Sequence, residues 1–476
     1  IIPMKQQTIL WFRVDLRLSD NPALKKAIDL NLPVLPIFIY DEEDAQSRSL
    51  GAASKWWLHK SLENLSSELE LVGSKLLIFR GKAEEVLQKL IHDTKATNVL
   101  WNRRYEPWAV KRDRLIKEKL SAQSINIMSF NGSLLYEPWE IKSKIGNPLK
   151  VFTPYKRALL SKGIPEPVNS KPSKLLSPTE WPVSQTIDKL QLIENKSWSI
   201  KFHNYWEPGS NKAKEKLEIF KSDALHDYNI NRDIPSIEGT SKLSPHLRFG
   251  EISPKEVLNS INHIEENDGI NVYKSEIIWR EFSHNLLWYF PNIHNTPIKN
   301  EFEKFEWDNN EANLIAWKKG LTGYPIVDAG MRELWATGWM HNRVRMIVAS
   351  FLTKHLLLPW QLGEEWFWDT LLDADPASNT SGWQWVSGCG ADAAPYFRIF
   401  NPIIQGEKFD PDGNYIKKFI PELNKLPNKF IHEPWKADSA ILKNSDIKLG
   451  DTYPKPIVDH KFARERALNK YAELRK

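Results

Sequence analysis

The feature that most restricts the fold of this chain is a series of five short apolar runs before residue 132. They read "TILWFRV", "PVLPIFIY", "SKLLIFR", "ATNVLWN" and "INIMSFN". Amphipathic stretches separate them. The first is "NPALKKAIDL", with Asn21 placed to cap a helix and Pro22 at its first turn. Others lie near 54–71, 82–92 and 108–122. Strand-like runs alternating with helical patterns predict a parallel sheet with helices on both faces. No G-x-G-x-x-G follows the first run, so the usual dinucleotide fingerprint is missing.

From 132 to 208 the chain is rich in Pro, Ser and Lys, as in "KGIPEPVNSKPSKLLSPTEWP". Such a stretch predicts a connection running over the surface. Beyond 209 the patterns are helical, for example "KSEIIWREFSHNLLWYF", "DAGMRELWATG" and "HNRVRMIVASFLTKHLL". The expected organisation is a Rossmann-like α/β domain with a five-stranded parallel sheet over 4–131. A linker over 132–208 and an all-α domain over 209–476 follow it.

Composition narrows the function classes. The 476 residues have a mean hydropathy of -0.48, which suits a soluble globular protein. No apolar stretch reaches the ~18 residues of a membrane span. The start, "IIPMKQQTILWF", lacks the order of a signal peptide, so a cytoplasmic protein without membrane partners is expected. A single cysteine excludes an internal disulfide and a cysteine-based metal cluster. The net charge of +5 is too mild to diagnose nucleic-acid binding. The unusual count is 21 Trp, eleven of them between Trp279 and Trp385. Each indole carries an N–H that wants a partner. Such density fits a protein that handles planar ligands or electrons, and equally a Trp-rich core.

Several segments group polar residues in ways that could carry chemistry. Thr240, Ser241 and Ser244 stand beside Gly239, with Ser244-Pro245 resembling a helix start. That loop fits a phosphate site or ordinary capping. On a helix, Glu276, Trp279, Arg280 and Ser283 would share one face, suited to a planar polar ligand or to a Glu276–Arg280 ion pair. Asn342, Arg343, Arg345 and Met346 fall within one turn, and the two arginines suit anions. Asp373 and Asp375 have no His or further acid at a helpful spacing, so no metal site is expected. In "SNTSGWQWVSGCG", an extended backbone would send Trp383 and Trp385 to opposite sides. Cys389 has no base placed for it and reads as a small buried residue.

Taken together, "WFRVDLRLSDNPAL", "WREF", "TGYPIVDAGMREL", "GWMHNRVRM" and "GWQWVSGCGADAAPYFRIFNP" resemble the photolyase/cryptochrome family. The resemblance runs in order from Trp11 to Trp435 and is strongest to bacterial class I photolyases of cyclobutane pyrimidine dimers. It implies an α/β antenna domain, a linker and a helical domain binding FAD. Tyr228, Thr240, Ser241, Lys242, Leu243 and Ser244 match the part that binds the FAD phosphates. Arg280, Arg345, Asp373 and Asp375 match positions around the flavin. Asn379 matches the side chain facing flavin N5, where its amide can accept a hydrogen bond or rotate to donate one. An asparagine there is similar to photolyases, an aspartate to plant cryptochromes.

The resemblance further implies that Glu276, Trp279, Asn342, Met346 and Trp385 receive the dimer flipped out of DNA. Arg343 and Arg398 would meet phosphates on the rim. Trp307, Trp360 and Trp383 match the family's electron-carrying tryptophans. The implied reaction is light-driven electron transfer from reduced FAD, which splits the cyclobutane ring and recovers the electron. Cryptochrome-type signalling and repair of (6-4) photoproducts are the competing readings. The expected partner is ultraviolet-damaged DNA, with the protein acting as a monomer and needing no protein partner. For a second, antenna chromophore the stretch "WNRRYEPWAV" lacks the Asn-Glu pair of folate-binding relatives. A deazaflavin or another flavin fits there at least as well as methenyltetrahydrofolate. Val14 bears on the same pocket.

Overall fold

The computed structural model describes residues 6–41, 47–193 and 196–476. The chain divides into two compact units. One comprises Ile1–Asp223, Ser241–Asn267 and Lys274–Pro291; the other comprises Ala224–Thr240, Asp268–Tyr273 and Asn292–Lys476. The boundary expected at 208/209 does not coincide with this division.

The first unit contains β1 (Thr8–Phe12), α1 (Pro22–Asp29), β2 (Val34–Tyr40), α2 (Ala52–Leu71), β3 (Leu77–Arg80), α3 (Ala83–Thr94), β4 (Asn98–Asn102), α4 (Pro107–Ala122) and β5 (Asn126–Phe130). The five strands form one parallel sheet in the order β3-β2-β1-β4-β5. The reading of the apolar runs is therefore correct. Asn21 caps α1 by accepting from Leu24 N. β1 and β2 are buried at every position because helices cover both faces. Trp11 and Trp101 are paired in register, and their rings meet edge to face at 5.5 Å.

In this order the chain reverses direction between β1 and β4. Doubly wound sheets leave a crevice beyond the strand ends at that point. The loop after β1 is held there by Arg17, whose buried guanidinium donates to the carbonyls of Ser19, Asp20, Gly132 and Gly250. Gly250 sits so close to the loop that a Cβ would lie 1.9 Å from Val14 O. The connecting segment is more ordered than its composition suggests. It carries α5 (Phe152–Ser161), whose Phe152, Tyr155 and Leu159 are buried.

After several shorter helices comes the long α6 (Asp268–Tyr289). The second unit then adds, among others, α7 (Pro325–Thr337), α8 (Asn342–Ser350), α9 (Trp360–Thr370), α10 (Ser378–Ser387) and α11 (His460–Leu474). Here "SNTSGWQW" is helical, so the extended backbone considered for it is not found. The Asp375 carboxylate stabilises the start of α10 by accepting from Ala377 N and Ser378 N. Gly388, at φ 90°, ends it. Trp383 and Trp385 still diverge, because two residues on a helix are ~200° apart.

Candidate functional site

Within the first unit, α6 presents Glu276, Trp279, Arg280 and Ser283 at helical spacing, as the sequence predicts. Arg280 Nη1 donates to Ser133 O at 2.9 Å. The Trp279 ring lies flat on Phe152, with centroids 3.7 Å apart and planes at 5°. Next to Arg280, Glu281 is buried, and its Oε1 accepts from Leu135 N at 2.6 Å. Burial, against the pull of Arg280, raises its carboxyl to about 8. The carboxyl is therefore protonated at neutral pH.

The Ser241–Ser244 loop leads into a five-residue helix, Ser244–Arg248, capped by Leu243. Ser244 is its first helical residue rather than its cap, a shift of one position. Lys242 is left-handed at φ 51°, and Ser241 Oγ accepts from Leu243 N.

The same unit contains an open pocket at the ends of β1 and β2 and beside the start of α4. Its lining includes Trp11, Arg13, Val14, Arg104, Trp108 and Arg112. This is the crevice expected from the strand order. Arg13 and Arg112 lie over the Trp11 ring at 4.6 and 4.9 Å, and Arg104 lies over Trp108 at 4.8 Å. Asp113 bridges Arg13 and Arg112, and Glu106 pairs with Arg104. Burial lowers Arg13 to about 10, leaving it charged at neutral pH. The stretch 102–120 is basic, yet part of its charge is buried. Arg104 and Arg112 turn inward onto indoles.

In the second unit, Arg345 grips Asp373 with two parallel bonds, Nη1 to Oδ1 at 3.1 Å and Nη2 to Oδ2 at 2.7 Å. Arg343 instead meets Asp233 at 2.9 Å and covers the Phe409 ring at 4.5 Å. Its Nη1 also lies 3.9 Å from Met346 Sδ. Asn342 is exposed at the first position of α8, whose cap is His341 Nδ1 accepting from Arg343 N. Tyr228 packs edge to face on Tyr273 at 5.2 Å, with Arg232 over its ring. Gly239, just before Thr240, packs where a Cβ would lie 2.5 Å from Asn231 O.

Asn379 and Trp383 are one helical turn apart and share a face of α10. The Asn379 amide nitrogen donates to Glu364 O and to Glu364 Oε1. Glu364 Oε1 also accepts from Thr380 Oγ1. Trp383 is buried against Phe367 and Trp317, with its six-membered ring over Gly363 of α9. Between the two indoles, Gln384 donates to Ile293 O and Thr296 O and accepts from Ile298 N. It fixes the rotation of α10 and with it the direction of both rings. Trp360 is buried, and Trp307 is half-buried beside Phe305. Arg398 is exposed, and its carbonyl accepts from the buried Lys354, whose amine burial lowers to about 7. Cys389 is buried, as expected, and its thiol is pushed up to about 12. Glu364 and Phe152 are not among the sequence candidates. Among the described residues no cluster of His, Cys, Asp or Glu is arranged for a metal, and no helix is long and apolar enough to cross a membrane.

Residues 8–173 match the family model described as "DNA photolyase", and residues 273–473 match "FAD binding domain of DNA photolyase". A deoxyribodipyrimidine photo-lyase of Agrobacterium fabrum is 49% identical over 473 residues, covering 98% of both chains. Cryptochrome-2 of Arabidopsis thaliana is 40% identical over 97% of this chain and 78% of its own length. Among solved structures, a class III photolyase from Agrobacterium tumefaciens superimposes with a TM-score of 0.95 at 48% identity, covering 99% of this chain and 98% of the other.

Proposed function

The chain belongs to the photolyase/cryptochrome family, and on that premise we propose that it is a deoxyribodipyrimidine photo-lyase repairing cyclobutane pyrimidine dimers in DNA by light. The reading covers a monomeric cytoplasmic enzyme with an antenna domain over 4–131, a linker over 132–208 and a catalytic domain over 209–476. The observation that carries it is Asn379, whose nitrogen is committed to Glu364, which would leave Oδ1 for a ligand. That oxygen is an acceptor, the group a flavin protonated at N5 requires.

The residues present fit FAD. Arg345 and Asp373 form a charged pair that would meet the polar edge of an isoalloxazine, and Arg280 and Asp375 are assigned to the flavin by the family resemblance. Tyr228 and the 240–244 loop would take the phosphates. When bound and reduced, FAD supplies one electron to the dimer under light and recovers it after the ring opens. The protein's own work is orientation and electrostatics. Trp279 and Trp385 give flat walls that offset part of the cost of extruding the lesion, a few kcal/mol. Glu276 would hydrogen-bond the pyrimidine edge, and Asn342 and Met346 are assigned to the lesion by the family resemblance. Arg343 and Arg398 meet phosphates, which makes binding salt-dependent and largely indifferent to sequence. Trp307, Trp360 and Trp383 pass electrons inward, since indoles oxidise readily and stay rigid when packed.

The cavity of the first unit supports a second chromophore. Indoles capped by guanidiniums suit a planar ligand that carries an anionic group, and a flavin mononucleotide, through its phosphate, or a deazaflavin has that character. Reconstitution with flavin mononucleotide should add an absorption band that Trp108→Ala loses while FAD content stays constant.

The deciding experiment uses reduced protein, an oligothymidine containing cyclobutane dimers, and blue light. Dimer content falls under illumination and stays constant in the dark. Unchanged content in the light would overturn the proposal, and loss of (6-4) lesions instead would redirect it.

A further inference from the structure

We propose that Phe152, in the connecting segment, is a positioning residue that holds Trp279 ready for a flipped base; the inference rests on reading Trp279 as a wall of the lesion pocket. The stack of Phe152 on Trp279 is nearly parallel. It covers one face of the indole, which Phe282 also meets edge to face at 5.6 Å; the opposite face is the one proposed for a base.

The stack belongs to a larger clamp. Ser275, Trp279, Phe282 and Asn285 form one stripe of α6 at spacings of four, three and three. All four hold the segment from Leu149 to Lys156. Lys156 Nζ donates to Ser275 Oγ at 2.7 Å. Phe282 meets the rings of Phe152 at 5.9 Å and Tyr155 at 5.2 Å. Asn285 Nδ2 donates to Leu149 O at 3.0 Å. Thr153 and Pro154 are exposed while Phe152 is buried, so the aromatic is the part of this turn committed to α6.

A half-exposed indole on a helix would otherwise sample several rotamers, and a base stacking on it would have to freeze them. Held by Phe152, Trp279 is ordered before the lesion arrives. The connecting segment thereby takes part in recognition instead of only spanning a distance.

The test is lesion affinity of the FAD-loaded protein in the dark, measured on a duplex with one cyclobutane dimer and on the undamaged duplex. Repair per bound lesion is measured alongside. Phe152→Leu should weaken lesion binding about fivefold, the scale of one aromatic pair. Binding of undamaged DNA and repair per bound lesion should not move. Phe152→Tyr, which keeps the stack, should bind as the parent does. In a Trp279→Ala background, Phe152→Leu should change nothing more, because its effect passes through the indole. Parental lesion affinity in Phe152→Leu, equal loss on both duplexes, or a full further loss in the Trp279→Ala background would each overturn the inference. If Trp279→Ala binds the lesion normally, the wall reading falls as well. If only Phe152→Leu is silent, this inference falls alone. Should Phe152→Leu fail to fold, Phe152→Met carries the same comparisons.

Discussion

Glu364 holds the amide of Asn379 from two directions: its carboxylate Oε1 lies 3.0 Å and its own carbonyl oxygen 3.1 Å from Asn379 Nδ2. Turning the amide over would set an oxygen against both acceptors. In this arrangement the amide oxygen is the group left to accept, and Glu364 opposes the rotation that the sequence reading allows.

Glu364→Leu should release this amide. A hydrogen bond to a charged group is worth about 1.5–3 kcal/mol, so the fraction of photoreduced flavin held protonated at N5 should fall about tenfold or more. Glu364→Gln keeps a carbonyl acceptor and should restore most of it. Absorption spectra after illumination with a thiol donor distinguish the two.

Gly363 has no side chain because Trp383 occupies the space. A Cβ there would lie 2.1 Å from the indole. Both groups are buried, so Gly363→Ala should lower stability by about 1–3 kcal/mol, an ordinary overpacking cost, and displace Trp383. Photoreduction of the oxidised protein should then slow, and Trp383→Phe should slow it likewise. Repair by protein reduced beforehand should fall less. Time-resolved absorption measures the first effect and dimer assays the second.

Glu281 gives stability a slope with pH. Burial raises its carboxyl from 4.5 to about 8 in the folded chain. The folded state therefore binds more protons than the unfolded state between those values, and stability is lost as pH rises through them. Glu281→Gln keeps an acceptor for Leu135 N and removes the titration. Its Tm relative to the parent should climb from pH 5 to pH 8 and level off above. A constant difference would mean that the carboxyl is already ionised.

His341 acts in the opposite direction. Its Nδ1 accepts from Arg343 N, so the ring is neutral, and burial lowers it from 6.5 to about 4. The unfolded state takes the proton first, and stability is lost as pH falls from 6.5 towards 4. His341→Asn preserves a good cap acceptor. Its Tm should decline less than the parent's over that range.

The sheet was legible because its strands are short, apolar and punctuated by helix starts such as Asn21-Pro22. Helix α6 was legible because Glu276, Trp279, Arg280 and Ser283 follow one helical stripe. α10 was not. Its Ser, Gly and Trp residues carry weak helical preference, and the carboxylate that stabilises it, Asp375, stands before the segment. Periodicity reports which residues share a face, not what meets that face. Glu364 beneath Asn379 and Phe152 on Trp279 are contacts across 15 and 127 positions, the second being 279 minus 152. Neither leaves a local trace. The inward arginines failed to stand out for a related reason, since a basic helix reads alike whether its charges face water or indoles.

Arg17 bears on the order in which this protein is made. Its acceptors include Gly132 O and Gly250 O, which leave the ribosome long after β1. At about 5–20 residues per second, the 118 residues between those two acceptors (250 minus 132) take roughly 6–24 s to appear. During that interval the nascent sheet carries a guanidinium whose buried site is incomplete. The α/β body thus reaches its final form only once a much later segment has been translated.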